Sequence, residues 1–269
     1  MKSNFYYSFF FLPRAEKEAL FLLYAFCRAL DDRIDLPSGR NDAGDGLEVI
    51  RKWREELEMT YRGHPPNALF RSLYPAIRTF GLSRNNFEEL INGMEMDIRS
   101  ARYTTFDELK LYCYRVASAV GLLCMEIFGD RTDRARELAI HLGMAFQLTN
   151  IIRDIFQDLD KNRIYLPQED LDLFRISADA LSRREMNGDF AGLVQFQIDR
   201  AKKYYEKADL DLKACRNAGV KGIEVMMMTY ARLLAKIDRN VWNLGWKRVS
   251  LTRTEKMAVA GRIWLKRFK

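Results

Sequence analysis

The sequence is poor in histidine, glycine and proline, and it has no long apolar run. Only two histidines, His64 and His141, occur in 269 residues, far apart in the chain. That spacing weighs against an imidazole zinc site and gives little footing for a catalytic histidine. Fifteen glycines and six prolines are 21 of 269 residues, about 8%, below the usual share of roughly 12%. Few breakers imply long uninterrupted elements, which are usually helices. The cleanest apolar stretch, Ala19 to Cys27, stops at Arg28, far short of the ~20 residues that span a bilayer. The four cysteines (Cys27, Cys113, Cys124, Cys215) form no C-x-x-C pair, so they read as reduced thiols of a cytosolic chain. A signal-peptide pattern is missing. So is a G-x-G-x-x-G after a strand, hence no NAD(P) or flavin signature.

What is present reads as an ordinary globular chain, 48% hydrophobic and 30% charged. No linker, repeat or low-complexity tract divides it, so one domain over 1–269 is expected. The charge is uneven. Residues 240–269 hold eight Lys/Arg and one acid, Glu255, which equals the net charge of +7 of the whole chain. A basic end suits nucleic acid or an anionic membrane surface. With no nucleic-acid module in the sequence, no nucleic-acid partner is expected.

Helical patterns follow one another. They run over Arg14–Leu30, Leu47–Arg62, Asn67–Phe80, Ser83–Arg99, Thr105–Phe128, Thr132–Asp158, Asp179–Met186, Ala191–Arg216, Lys221–Leu244 and Thr252–Phe268. Gly39–Gly46 and Asn162–Pro167 read as loops, and Pro75 as a kink or break. Thr105 with Glu108 is a capping-box signature, and Ser83 is a candidate cap. The fold class is an all-α, single-domain bundle. Residues 252–269 form a basic amphipathic helix with Met257, Ala260, Ile263, Trp264 and Phe268 on its apolar side. That helix either rests on an anionic membrane or packs on the bundle.

Two polar stripes carry the chemistry. At about 100° per residue, Tyr24, Arg28, Asp31 and Asp35 share one face of a helix. Asp31 and Asp35 are one turn apart and repel unless a positive group, Arg28 or a divalent cation, lies between them. A solvated acidic helix end is the plainer alternative. Gln147, Asn150, Asp154 and Asp158 make the second stripe, within an otherwise apolar segment. Such groups need partners, either a core hydrogen-bond network or a ligand. Four carboxylates plus amides are a hard-oxygen set suited to Mg²⁺. Arg153, Lys161 and Arg163 lie close enough in sequence to hold a diphosphate, or are simply surface charge.

The stretches Tyr24-Ala-Phe-Cys-Arg28-Ala-Leu-Asp31-Asp-Arg-Ile-Asp35, Gln147-Leu-Thr-Asn150-Ile-Ile-Arg153-Asp154-Ile-Phe-Gln-Asp158 and Arg163-Ile-Tyr165-Leu-Pro167 resemble the squalene/phytoene synthase family, the head-to-head isoprenoid synthases. Asn4-Phe5-Tyr6 with Leu12-Pro13, Gly93-Met-Glu-Met-Asp97 and Tyr112-Cys-Tyr-Arg-Val116-Ala-Ser-Ala-Val120-Gly121 extend the likeness over about residues 3–250. The Tyr112–Gly121 stretch is most similar to bacterial presqualene diphosphate synthases of hopanoid pathways. Asn4 departs from the family's usual Ser.

The resemblance implies an isoprenoid-synthase-type bundle around a central apolar cavity. It implies Mg²⁺, with Mn²⁺ as a substitute, on Asp31, Asp35, Asn150, Asp154 and Asp158. It places Tyr112 and Gln147 with the carboxylates in the catalytic set. Asn4, Phe5, Tyr24, Arg28, Val116, Val120, Phe146, Asn150, Arg153, Tyr165 and Arg248 would bind substrate. Phe9 and Leu123 are further wall material. Tyr112, Val116 and Val120 are expected to line one stripe. The implied reaction joins two farnesyl diphosphates into presqualene diphosphate, in the cytoplasm or peripherally on the inner face of the membrane. Phytoene, dehydrosqualene or hydroxysqualene synthesis are rivals within the family. Head-to-tail elongation fits Asp31-Asp32-Arg-Ile-Asp35, but the second motif lacks an adjacent acid. A non-catalytic assembly or lipid-binding relative is the remaining alternative.

Overall fold

A computed structural model describes residues 12–35, 43–99, 102–215 and 219–265, with side chains for all of these except 34–35, 43–45, 260 and 263–265. The described residues contain helices and no strand. In chain order these are α1 (Arg14–Asp35), α2 (Ala43–Tyr61), α3 (Ala68–Phe80), α4 (Arg84–Arg99), α5 (Phe106–Cys113), α6 (Ala119–Ile127), α7 (Asp133–Leu159), α8 (Gln168–Leu173), α9 (Ala178–Ser182), α10 (Gly188–Ala214), α11 (Val220–Asp238) and α12 (Arg253–Leu265).

Local sequence explains most of these ends. Asn67 accepts from the Phe70 N–H at the start of α3, and the chain leaves that helix through Gly81 at φ 59°. The capping box at Thr105 and Glu108 is formed. Thr132 caps α7 by accepting from the Ala135 N–H. Ser83 instead directs its backbone N–H to Glu126 at 2.8 Å. Pro75 lies inside α3 and does not end it. It removes one backbone hydrogen bond, while Phe70, Leu73, Ala76 and Ile77 bury the helix face on either side. The loop expected over Gly39–Gly46 is wrong in part, because α2 already begins at Ala43. The helix α9 is shorter than expected, α8 was not anticipated, and the helix expected to reach Leu244 ends at Asp238.

Two buried clusters organise the bundle. One gathers α1–α4, with Phe26 at its centre against Trp53, Phe70 and Phe87 at ring distances of 5.0, 5.9 and 4.9 Å. The other gathers α5, α7, α10 and α11. Helix α6 serves both: Leu123 and Ile127 join the first cluster, Leu122 and Met125 the second. Leu123 is therefore core rather than cavity wall, which corrects its expected place. An apolar cavity of about 320 Å³ lies between α1, α6, α7 and α11.

One feature was not foreseen. Between α5 and α6 the chain makes a π-helical turn, Tyr114–Ser118, in which the Ala119 N–H reaches back to the Tyr114 carbonyl. Glycines on two other helices allow it. A Cβ on Gly143 of α7 would fall 2.5 Å from Ser118 Cα, and one on Gly93 of α4 would fall 2.6 Å from Val116 Cγ1. The expected Tyr112–Val116–Val120 stripe runs along two adjoining cavities, with Val116 on both. Val116 and Val120 line the apolar cavity, whereas Tyr112 lines a polar cavity next to it.

The C-terminal helix α12 packs on α11. Val259 is buried with Val225 and Met228, and Lys236 pairs with Glu255 at 2.9 Å. Met257, expected on the apolar side, is 62% exposed. Its side is turned outward because Val259 is the residue that docks. Ala260, Ile263 and Trp264 are described only as backbone, and Phe268 lies outside the described residues.

Candidate active site

The polar cavity measures about 270 Å³ and is lined by Asp31, Met94, Asp97, Tyr112, Val116, Gln147, Arg163 and Tyr165. Asp31, Val116 and Gln147 also line the apolar cavity, so the two spaces adjoin. Asp31 from α1 and Gln147 with Asn150 from α7 border one apolar space, whereas Asp154 and Asp158 line neither cavity. Asp154 and Asp158 follow Asn150 on the same helix. The side chain of Asp35, and all of Asn4, Phe5 and Phe9, lie outside the described residues.

Asp97 organises the polar wall. It accepts hydrogen bonds from Tyr165 at 2.7 Å and Tyr112 at 3.0 Å. The rings of Tyr112 and Tyr165 stack at 5.1 Å, with Tyr103 beside them. Burial, then the Asp97 charge, pushes both phenols above their ordinary range. They stay protonated and donate. No role was assigned to Asp97 from sequence, although it ends the Gly93–Asp97 motif. The loop after α7 is turned at Asn162, whose φ is 56°. Arg102 holds that turn through the Asn162 carbonyl at 2.8 Å. The turn directs Arg163 and Tyr165 back to the cavity.

The carboxylates differ in their surroundings. Arg28 pairs with Asp32, one turn further along α1, at 2.8 Å. Asp154 is held below the ordinary carboxylate range: burial pushes it up, but hydrogen bonds from Arg153 and Arg248 outweigh that. Both arginines were expected on the diphosphate; here both guanidinium groups are on Asp154. Asp158 behaves in the opposite way. Burial first, and then the Asp154 charge, raise it to about 7, with Arg163 and Lys161 opposing.

These residues fit a hard divalent cation. Asn150 Oδ1 is buried and accepts no hydrogen bond among the described residues, while Asn150 Nδ2 donates to Gln147 Oε1 at 3.4 Å. Asp158 is an acid lacking enough opposing charge. Among the described residues no three His, Cys, Asp or Glu side chains converge on one point. A cation held here would need the oxygens of a ligand beside the few that the protein offers, as Mg²⁺ commonly does.

The apolar cavity is lined by residues from four helices. Tyr24 and Cys27 come from α1, Val120 and Cys124 from α6, Ala139, Leu142 and Phe146 from α7, and Ile223, Met226 and Tyr230 from α11. Phe146 stacks on Tyr230 at 4.4 Å. The α11 contribution was missed, yet Gly222, Met226 and Tyr230 recur every four residues and could have been read as a helix face. A polar, acid-lined mouth on a dry cavity can bind a molecule with an anionic head and a long apolar tail, and can shield a reactive carbon from water.

A family profile for squalene/phytoene synthase matches residues 1–255. The chain is 36% identical to the presqualene diphosphate synthase of Rhodopseudomonas palustris, covering 96% of this chain and 91% of that protein. It is 33% identical to the 15-cis-phytoene synthase of a Synechocystis strain, covering 98% of this chain and 81% of the relative. Among solved structures, a dehydrosqualene synthase in complex with a ligand superposes with a TM-score of 0.86 at 25% identity, covering 99% of this chain and 93% of that one. With the all-α fold and these matches together, the chain belongs to the squalene/phytoene synthase family of head-to-head isoprenoid synthases.

Proposed function

We propose that this prenyltransferase condenses two farnesyl diphosphates head to head, giving presqualene diphosphate, one diphosphate and one proton. The observation that carries the reading is the junction of the two cavities, where Asp31 and Gln147 border both the acidic mouth and the apolar space. The near full-length likeness to the Rhodopseudomonas palustris enzyme supports this product among the family's products.

Asp31, Asp154, Asp158 and Asn150 Oδ1 would hold Mg²⁺, or Mn²⁺ in its place, and Asp35 belongs with them by its motif position. The bound cation would neutralise charge on the leaving diphosphate. Arg163 faces the polar cavity and adds a fork for phosphate oxygens. Tyr112 and Tyr165, fixed by Asp97, present aromatic rings and no base to an allylic cation. Val116, Val120 and Phe146 exclude water while the C2–C3 double bond of the second substrate is alkylated, a proton leaves and the ring closes.

The experiment is product analysis of the purified protein with Mg²⁺ and either farnesyl or geranylgeranyl diphosphate. Presqualene diphosphate from the shorter substrate is expected. Phytoene from the longer one as the main product would overturn the assignment, and the Synechocystis relative makes that the principal rival. Dehydrosqualene or hydroxysqualene would do the same. A non-catalytic role is disfavoured by the intact acids of both motifs.

No described helix is long and apolar enough to cross a membrane. We place the enzyme in the cytoplasm, with its C-terminal end peripheral on the inner face of the membrane. Trp242, Trp246 and Met257 are exposed there at 54, 80 and 62%, among Lys247, Arg253 and Arg262. Aromatic rings beside basic groups suit an anionic bilayer surface. Binding to anionic vesicles that survives Trp242→Ala with Trp246→Ala would argue against this seat.

A further inference from the structure

Asp154 is not open to a cation as it stands. Arg153 donates from Nε to Oδ1 at 2.9 Å and from Nη2 to Oδ2. Arg248, 94 residues further on, donates from Nε to Oδ1 at 2.6 Å and from Nη2 to Oδ2 at 2.8 Å. Such a bidentate fork is the strong form of this contact, and it covers both oxygens that a cation would need. The two arginines differ in freedom. Arg153 is 13% exposed and sits on α7 itself, whereas Arg248 is 56% exposed.

The backbone carrying Arg248 is anchored. Leu244, Val249 and Leu251 are buried. Arg184 donates to the Gly245 carbonyl and also grips Asp160, just beyond the end of α7, at 2.8 Å. The side chain can swing while its post stays fixed.

We propose that Arg248 is a positioning latch on the cation-binding carboxylate: it holds Asp154 while no substrate is present, and yields it to a divalent cation when a diphosphate arrives to take the guanidinium. This rests on the Mg²⁺ reading above. A cation arriving alone must displace a fork that then has no partner. A cation arriving with a diphosphate gives the fork two phosphate oxygens in exchange for two carboxylate oxygens. Cation and diphosphate are therefore taken up together, and departure of the product diphosphate returns the fork to Asp154.

The test is Mn²⁺ binding to the full-length protein, read from the electron paramagnetic resonance signal of the free ion with no phosphate compound present. Arg248→Gln is expected to bind Mn²⁺ about tenfold more tightly than the parent protein. Lys247→Gln removes the same charge one residue away and is expected to leave the affinity within about twofold. Arg248→Lys keeps the charge but loses the fork, and should fall between. It decides the matter if the Gln variant does not fold by circular dichroism. Unchanged or weaker Mn²⁺ binding in the folded Arg248 variant overturns the latch and leaves the Mg²⁺ reading standing. Absence of Mn²⁺ binding in every variant and in the parent overturns both.

Discussion

Gly143 is the position where a single methyl group should do most harm. Its α-carbon faces the π-helical turn, and an added Cβ would lie 2.5 Å from both the backbone N and Cα of Ser118 and 2.6 Å from its Oγ. Two of those three atoms are backbone, so no rotamer change relieves the contact. Either α7 or the turn must move by several tenths of an ångström. Overpacking of this kind costs about 2–3 kcal/mol. At about 2–4 °C per kcal/mol for a large domain, Gly143→Ala should lower Tm by roughly 4–12 °C. The displacement is also carried by α7, which holds Gln147, Asn150, Asp154 and Asp158, so kcat should fall with Tm. Differential scanning calorimetry and steady-state kinetics with Mg²⁺ measure both. Gly188→Ala is the control, since nothing lies within 4 Å of a Cβ there. A Gly143→Ala protein that melts within 1 °C of the parent and turns over normally would refute the close approach of α7 to the π turn.

Asp154→Asn keeps the shape but loses the charge. It should reduce kcat by about 10²-fold or more at saturating Mg²⁺, measured by diphosphate release; unchanged turnover would remove the metal role. Phe128 lines the apolar cavity beside Gly219, so Phe128→Ala should raise kcat/KM for the C20 diphosphate relative to the C15 one, measured by competition between the two. An unchanged ratio would place the chain-length limit elsewhere. Glu255 is held down to about 2 by the Thr252 N–H and by Lys236. A depressed acid stabilises the fold above its unfolded pKa and loses that contribution as pH falls through the folded value. The seat of α12 on α11 should therefore loosen between about pH 4.5 and 2. A carboxyl carbon chemical-shift titration reads this, and a midpoint above 4 would contradict the clasp.

The sequence carried the acid rows because helical spacing alone puts Asp31 with Tyr24 and Arg28, and Asn150 with Asp154 and Asp158, on single faces. It carried the start of α5 because a capping box is local. The π turn was invisible for the opposite reason. Spacing in Tyr112–Val120 is the same whether the turn is α or π, and the choice is made by Gly93 and Gly143 on distant helices. Asp97 and Arg248 were illegible as partners in the same way, since each acts across 15 to 94 residues of chain. Met257 was misplaced on the buried side of α12, because spacing along one helix does not show that Val259 is the residue that fits against Val225.

The apolar cavity sits at the seam between two separately filled clusters, with α6 as the hinge post common to both. A prenyl tail lodged in that seam would touch both clusters at once, so loading it should raise the temperature at which the bundle melts.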